Sequence, residues 1–360
     1  MIVLFGGISP LVVWMIDPYH LFHETRWNTN LHPFDNGNIY YIGAVRRNIV
    51  QSNEHNGIIV GSSHTAGFAI EDVDVAMGAQ ASVMLCLGLG QSQPLAFWAE
   101  QALASGKIKY VLWGIDAFAF FKNPPVSPEM RERLKHPLIS SFDSAVWLTT
   151  SHVIMHRLKL CTKTACFSDY DFTVKTIVPD RSKACKNWIR NDNLLKQRRL
   201  LPDFSKFSLA NNHLFCDIDC LLRLIRRYPN VQFFLPITPV SWVWCRFFQG
   251  IHHPYFLQAS FTFWRHLVTT CADLPNVKIY GWYDCAFVNN LANYFDPAHY
   301  HHDINRYMAW CIEHDKHRLT KENYDAYEAR CVENLRAFKI QDAYPHRDTF
   351  DELVAAEAQN

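Results

Sequence analysis

The chain is 360 residues long, with 49% hydrophobic residues, 19% charged residues and a formal net charge of +1 at neutral pH. This length allows one large domain or two small ones, and the apolar content allows a sizeable core and excludes global disorder. A net charge so close to zero gives no electrostatic basis for binding nucleic acid, so we expect no nucleic-acid partner. The 11 cysteines contain no C-x-x-C pair, which argues against a zinc knuckle and leaves the redox compartment open.

The first segment of the chain is nearly all apolar from residue 1 to residue 16 and ends sharply at Asp17-Pro18-Tyr19. It is short for a full membrane span and has no basic residue before it, but Trp14 and Trp27 lie where interfacial aromatic residues are expected. We interpret residues 1–19 as a membrane anchor, with a buried N-terminal helix as the alternative. An anchor would place the following domain outside the cytoplasmic membrane, in the periplasm.

Beyond a connector at residues 20–56, apolar runs typical of buried strands alternate with helical patterns. The predicted strands are residues 57–60, 81–87, 108–114, 231–235 and 277–281, and the predicted helices are residues 66–77, 92–105, 212–227 and 255–273. This alternation predicts an α/β fold with a five-stranded parallel sheet in a three-layer α/β/α sandwich, similar to flavodoxin-like folds.

Two stretches interrupt or follow this rhythm. Residues 115–211 contain no clear strand and many prolines and charges, so we expect an insertion over the top of the sheet within a domain that spans residues 20–313. Residues 314–360 are helical in pattern and charged, and we expect a solvent-exposed C-terminal helix followed by a loose tail.

The turn Gly61-Ser62-Ser63-His64-Thr65 follows the first predicted strand and precedes a helical pattern. In an open α/β sheet this position is the carboxyl end of a strand, where ligands bind. Either serine could instead cap the helix, because serine is a preferred N-cap residue. His64 could begin the helix or line a pocket.

A second stretch, Asp296-Pro297-Ala298-His299, follows the last predicted strand. A serine hydroxyl becomes nucleophilic when a histidine takes its proton and a carboxylate orients that histidine, and the chain offers these residues in the order Ser, Asp, His. Asp296 could also do no more than cap a turn. The nearby His301 and His302 are adjacent and cannot easily converge on one ion, so we expect no metal and no cofactor.

Together these blocks resemble the SGNH/GDSL hydrolase family, and more narrowly its membrane-anchored bacterial branch with a Gly-Ser-Ser first block. The resemblance implies that Ser63 is the nucleophile, that His299 is the general base and that Asp296 orients it. It also implies an oxyanion hole formed by the backbone N–H groups of Ser63 and Gly90, with Gly88 as the alternative to Gly90. Ser62 stands where the GDSL pattern has an aspartate.

The third block departs from this family, which places an asparagine after the third strand to donate a hydrogen bond to the oxyanion. Here the strand ends in Asp116, and an ionised carboxylate cannot donate. Asp116 is therefore structural, or the oxyanion hole uses two backbone donors, or the site is impaired.

The function that the resemblance implies is a serine esterase acting on a small acyl ester, such as an acetyl group on a cell-envelope glycan. Two alternatives remain open: an O-acyltransferase that uses the same residues, and a non-catalytic envelope assembly module that keeps the fold. The sequence leaves the oligomeric state open.

Overall fold

The computed structural model of the chain describes residues 55–80, 82–86, 92–120, 218–245, 255–339 and 346–359. The predicted membrane anchor, most of the predicted insertion, Gly88 and Gly90 lie outside these ranges. Within them, none of the helices combines the length and the apolar character needed to cross a bilayer.

The core of the molecule is a six-stranded sheet, with strand order β2-β1-β3-β4-β5-β6. Its strands are β1 (Gly57–Gly61), β2 (Val83–Cys86), β3 (Tyr110–Trp113), β4 (Gln232–Ile237), β5 (Val277–Gly281) and β6 (Arg318–Leu319). Strands β1 to β5 pair in parallel, and β6 pairs antiparallel with β5. The predicted α/β class with a parallel sheet is confirmed, but the predicted number of five strands is wrong. The sixth strand has only two residues, too few to show a strand pattern in the sequence.

The strand β1 shows why these residues form the centre of the sheet. Ile58, Ile59 and Val60 have no solvent exposure, and β1 pairs with β2 on one edge and β3 on the other. A parallel strand that is covered on both faces requires a continuous apolar run rather than an alternating one, and this is the pattern that the sequence shows.

Seven helices with defined bounds surround the sheet in the part of the chain that the structure describes. They are α1 (Ile70–Met77), α2 (Ser92–Leu103), α3 (Asp219–Arg227), α4 (Phe256–Cys271), α5 (His302–Glu313), α6 (Tyr324–Ala337) and α7 (Phe350–Glu357). Helix α1 packs against α5, and α2 packs against α3. The aromatic residues of α4, including Phe261 and Trp264, are buried in the core.

The C-terminal part of the chain differs from the prediction of a solvent-exposed helix. Helix α6 buries Tyr327, Cys331 and Leu335, which recur every four residues and so share one face. Of the charged residues between them, Arg330 and Glu333 are exposed, whereas Glu328 is buried. The number of charged residues is what makes the segment look exposed in the sequence. Helix α7 has no buried residue.

The strand order defines where a ligand is expected to bind. The chain leaves β1 for β2 on one side and then returns to β3 on the other, so the carboxyl ends of β1 and β3 form a topological switch point. Ser63 follows β1 and Asp116 follows β3, so both lie at this point.

Candidate active site

The turn after β1 is shaped by a threonine that fits between two glycines. A Cβ atom added to Gly61 or to Gly114 would overlap the side chain of Thr65, so both positions require glycine for the turn to approach the ends of β1 and β3. Residues Thr65–Gly67 form a 3-10 helix, and α1 begins only at Ile70, with Ala69 as its N-cap. Neither serine of the turn caps α1, contrary to the capping interpretation of the sequence.

The structure brings Ser63, His299 and Asp296 together in one hydrogen-bonded chain. The Oγ of Ser63 lies 2.8 Å from Nε2 of His299, and Nδ1 of His299 lies 2.8 Å from Oδ2 of Asp296. An ionised carboxylate can only accept, so Asp296 selects the tautomer that carries its proton on Nδ1. Nε2 is then the acceptor for the Ser63 hydroxyl proton, which is the arrangement that a serine nucleophile requires.

The loop that carries Asp296 is held in place by its own backbone and by the segment that follows β4. Two backbone N–H groups, of Ala298 and His299, donate to Oδ1 of Asp296 at 2.8 and 2.9 Å. Ser241 donates to the carbonyl of Pro297 from both its backbone N–H, at 3.1 Å, and its hydroxyl, at 2.5 Å. Burial acts to raise the pKa of Asp296, but the hydrogen bonds and charge of His299 and the two backbone donors outweigh it and lower that pKa. Asp296 therefore orients His299 as an anion.

Asp116 forms a second hydrogen-bonded cluster next to the turn that carries Ser63. Its carboxylate accepts hydrogen bonds from the hydroxyls of Ser62 and Thr238, and Nδ1 of His64 lies 2.9 Å from its Oδ1. These residues follow β1, β3 and β4, so the cluster ties together the carboxyl ends of three neighbouring strands. Burial acts to raise the pKa of Asp116, but the charge and hydrogen bond of His64 and the two hydroxyls outweigh it and lower that pKa.

The two clusters differ in their access to solvent. Ser62, His64 and Asp116 are 1%, 4% and 2% exposed, whereas the side chains of His299 and Asp296 are 20% and 26% exposed. The Ser63–His299–Asp296 chain is therefore the more solvent-accessible of the two groups. The buried group holds the turn, and its ring at His64 lies 5.0 Å from the ring of His299, measured between centroids.

Thr238 is a site residue that the sequence interpretation missed, and so is the contact of Ser62 with Asp116. Thr238 follows β4 directly, so it lies at the same edge of the sheet as the residues after β1 and β3. A polar residue directly after a buried strand is the sequence signal that could have marked Thr238 as a site residue. The contact of Ser62 with Asp116 joins residues 54 positions apart, and no local pattern marks it.

Of the two backbone donors expected for an oxyanion hole, only the N–H of Ser63 lies among the described residues. Among the described residues, the backbone N–H of Ser63 has no backbone hydrogen-bond acceptor. Gly90 and Gly88, the predicted second donor and its alternative, lie outside the described residues.

One group of possible metal ligands lies at the β5–β6 edge, away from Ser63. Asp284, Cys285 and His317 each place one ligand atom within 4.8 Å of the others. Two of them have other partners, because Arg330 donates to Asp284 at 2.8 Å and His317 pairs with Glu357 at 2.7 Å. We assign no metal to this group.

Comparison of the chain with protein-family models and with curated proteins found no match.

Proposed function

We propose that this protein is a serine-dependent esterase of the SGNH type that acts on a small acyl ester. The observation that carries the proposal is the continuous hydrogen-bonded chain from Ser63 through His299 to Asp296, with both links at 2.8 Å. A serine hydroxyl, an imidazole and a carboxylate in this order are the constellation that activates serine in unrelated hydrolase folds.

The fold adds support to this proposal. In the proposed three-layer α/β/α arrangement, the nucleophile follows the first strand at the switch point, and the Asp-x-x-His block follows the last of the parallel strands. This order of blocks is the one expected from the resemblance of the sequence to SGNH hydrolases.

In the proposed reaction, Ser63 Oγ attacks the carbonyl carbon of the ester while Nε2 of His299 accepts the hydroxyl proton. Asp296 stabilises the imidazolium that forms, and the backbone N–H of Ser63, with that of Gly90, donates to the oxyanion. His299 then protonates the departing alcohol, which leaves an acyl-serine. Water attacks the acyl-serine with His299 again acting as the base, and the acid and the free serine are regenerated.

The proposed substrate is a cell-envelope glycan that carries a small acyl group such as acetyl. This choice follows from the resemblance and from the apolar residues 1–19, interpreted as a membrane anchor that would place the enzyme in the periplasm. If a sugar hydroxyl replaces water in the second step, the same residues carry out O-acyl transfer, and product analysis with and without a glycan acceptor separates the two reactions.

A fluorophosphonate probe tests the proposal because it reacts covalently with activated serine. We expect the wild-type protein to be labelled at Ser63, and we expect Ser63→Ala and His299→Ala to abolish labelling. Matched controls are Ser105→Ala, which lies before β3 at the opposite end of the strands, and His266→Gln on α4; both should be labelled like the wild type. A folded wild-type protein that is not labelled would overturn the proposal and favour a non-catalytic assembly module.

A further inference from the structure

We propose that residues 238–241, which directly follow β4, form a spacer that sets the distance between Ser63 and His299. Thr238 at one end of this spacer binds the cluster beside the turn of Ser63, and Ser241 at the other end binds the loop that carries His299. Both are positioning residues, because they act through the groups that they hold. The effect on rate rests on the proposed esterase function, whereas the hold on the loop can be measured without turnover.

The first end of the spacer is connected to both neighbours of the proposed nucleophile. The hydroxyl of Thr238 donates to the carboxylate of Asp116. The same carboxylate accepts from the hydroxyl of Ser62 and lies 2.9 Å from Nδ1 of His64. Ser62 and His64 are the residues immediately before and after Ser63 in the chain. Thr238 is therefore linked to the turn on both sides of Ser63 through one carboxylate.

The second end of the spacer is connected to the loop of the proposed base. Ser241 binds the carbonyl of Pro297 twice, through its backbone N–H at 3.1 Å and its hydroxyl at 2.5 Å. This carbonyl is the only backbone hydrogen-bonding group that a proline has. Pro297 lies inside the turn that Asp296 closes by accepting from the backbone N–H groups of Ala298 and His299. A hold on Pro297 is therefore a hold on the whole turn.

The spacer itself has little freedom to change its length. All four of its residues are buried. Pro239 fixes its own φ and restricts Thr238, the residue before it, to extended conformations. The backbone N–H of Val240 donates to the hydroxyl of Tyr283 at 3.0 Å, which holds the middle of the spacer against the segment that follows β5. The distance between the two ends is therefore fixed by the backbone of the spacer.

Other contacts also join the two sides of the site, but they are less directional. Helix α1 packs against α5, and the hydroxyl of Tyr300 donates to the carbonyl of His64 at 3.4 Å. Helix packing brings the two sides together without fixing the direction of a hydrogen bond. The contacts of the spacer are shorter, and the reaction needs Ser63 Oγ to stay within hydrogen-bond distance of His299 Nε2. A misplacement of about 1 Å costs on the order of 10²-fold in rate.

Fluorophosphonate labelling of the full chain tests the hold of Ser241. We expect Ser241→Ala to lower the saturating rate about tenfold and to leave the half-saturating probe concentration unchanged, because the probe binds elsewhere. The matched control is Ser260→Ala on α4, where a buried hydroxyl donates to the carbonyl of Phe256 at 2.8 Å. Each variant loses one buried hydroxyl bonded to a carbonyl. The urea midpoints of both should therefore fall by similar amounts, while only Ser241→Ala is labelled more slowly.

Variants at the other end test whether the two ends act as one unit. Thr238→Val keeps the shape but loses the hydroxyl, so it should also be labelled about tenfold more slowly, and Thr238→Ser should restore most of this loss. A spacer needs both ends, so Thr238→Val with Ser241→Ala should be about tenfold slower, not about hundredfold as for independent effects. A hundredfold loss, or Ser241→Ala labelled like Ser260→Ala, would overturn the proposal. If Ser241→Ala does not fold, equal rates in Thr238→Val and Thr238→Ser would do so.

Amide hydrogen exchange separates the spacer from the esterase proposal, because it requires no reaction. The backbone N–H groups of Ala298 and His299 should exchange about tenfold faster in Ser241→Ala than in Ser260→Ala, since the turn opens more often without its anchor. Equal exchange in these two variants contradicts the spacer, whatever the labelling shows. An unlabelled wild type combined with faster exchange in Ser241→Ala contradicts only the esterase proposal. A labelled wild type combined with equal exchange contradicts only the spacer.

Discussion

Asp116 and Asp296 lie in the same site, and their surroundings give them different tasks. Asp296 is partly exposed, and its carboxylate faces the Nδ1 of His299. Asp116 is buried, and its carboxylate oxygens form hydrogen bonds with two hydroxyls and an imidazole. Both carboxylates have a lowered pKa, so both are anions at neutral pH. One anion is placed to orient the proposed base, and the other fixes the turn that carries the proposed nucleophile.

Replacing Asp296 with asparagine tests the orienting role directly. A neutral amide at this position would no longer select the tautomer with its proton on Nδ1, and it would not stabilise the imidazolium. We expect Asp296→Asn to lower the rate of fluorophosphonate labelling by on the order of 10³–10⁴-fold, with a melting temperature close to that of the wild type. Because the pKa of Asp296 is lowered, this carboxyl stays ionised through mildly acidic pH, so its protonation should not contribute to the loss of labelling there. Asp273→Asn, on the exposed surface after α4, is the control, and a full labelling rate in Asp296→Asn would contradict the assignment.

At the scale of residues, the sequence allowed a side-chain contact to be predicted where the two residues are close together in the chain. Asp296 and His299 are three positions apart, so their pairing could be expected from the sequence, and their position after the last parallel strand suggested the meeting with Ser63. The contacts of Asp116 could not be predicted in the same way. They join the ends of three strands, and the choice of Ser62, His64 and Thr238 as its partners depends on side-chain packing that no spacing encodes.

At the scale of elements, the turn at residues 61–65 can approach the sheet only because Gly61 and Gly114 have no side chains. Gly61 ends β1 and Gly114 follows β3, and the side chain of Thr65 occupies the space beside both. The backbone N–H of Gly114 donates to the carbonyl of Val60 at 2.8 Å, and that of the next residue, Ile115, donates to Pro236 of β4 at 2.7 Å. The glycine thus keeps β3 in register with its neighbours while it makes room for the turn.

A methyl group at Gly114 should therefore disturb the turn more than the strand. The new Cβ would lie 2.9 Å from the Cβ of Thr65 and would overlap its hydroxyl, so we expect Gly114→Ala to lower the free energy of unfolding by about 2–3 kcal/mol. Thr65→Ala removes the overlapping atoms. In urea denaturation, the double variant should therefore lose less free energy of unfolding than the sum of the losses in the two single variants. Gly78→Ala is not a suitable control because its φ of 69° strains any side chain. Strictly additive effects of Gly114→Ala and Thr65→Ala would contradict the proposed fit.

The elements themselves were predictable to different degrees. The alternation of apolar runs with amphipathic helices marked all five parallel strands, because a strand buried on both faces needs a continuous apolar run. Helix α3 was equally clear, with Leu221 and Ile225 buried and Arg226 exposed. Strand β6 was missed because its two residues form through pairing with β5 and not through any pattern of their own.

At the scale of the whole molecule, the C-terminal segment is connected to the loop that carries Asp296 and His299. The bridge between Tyr294 and Tyr300 closes this loop, and Asn293 lies just before it. Asp348, at the start of the C-terminal segment, accepts from Asn293 Nδ2 at 2.7 Å, and its backbone N–H donates to Asn293 Oδ1 at 2.9 Å. The last described segment of the chain therefore helps to position a loop that follows β5.

This connection predicts that a change far along the chain weakens the proposed chemistry. Asp348→Ala removes the carboxylate that binds Asn293, so the loop should lose its fixed position, and we expect the labelling rate to fall by about tenfold. The free energy of unfolding should fall by about 1–3 kcal/mol, because hydrogen bonds to a charged group are lost. Asp351→Ala, on the exposed surface of α7, changes the same residue type three positions away and should alter neither value. If Asp348→Ala is labelled as fast as Asp351→Ala, the C-terminal segment stabilises the fold without positioning His299, because a loosened loop must slow a reaction that needs Nε2 within hydrogen-bond distance of Ser63.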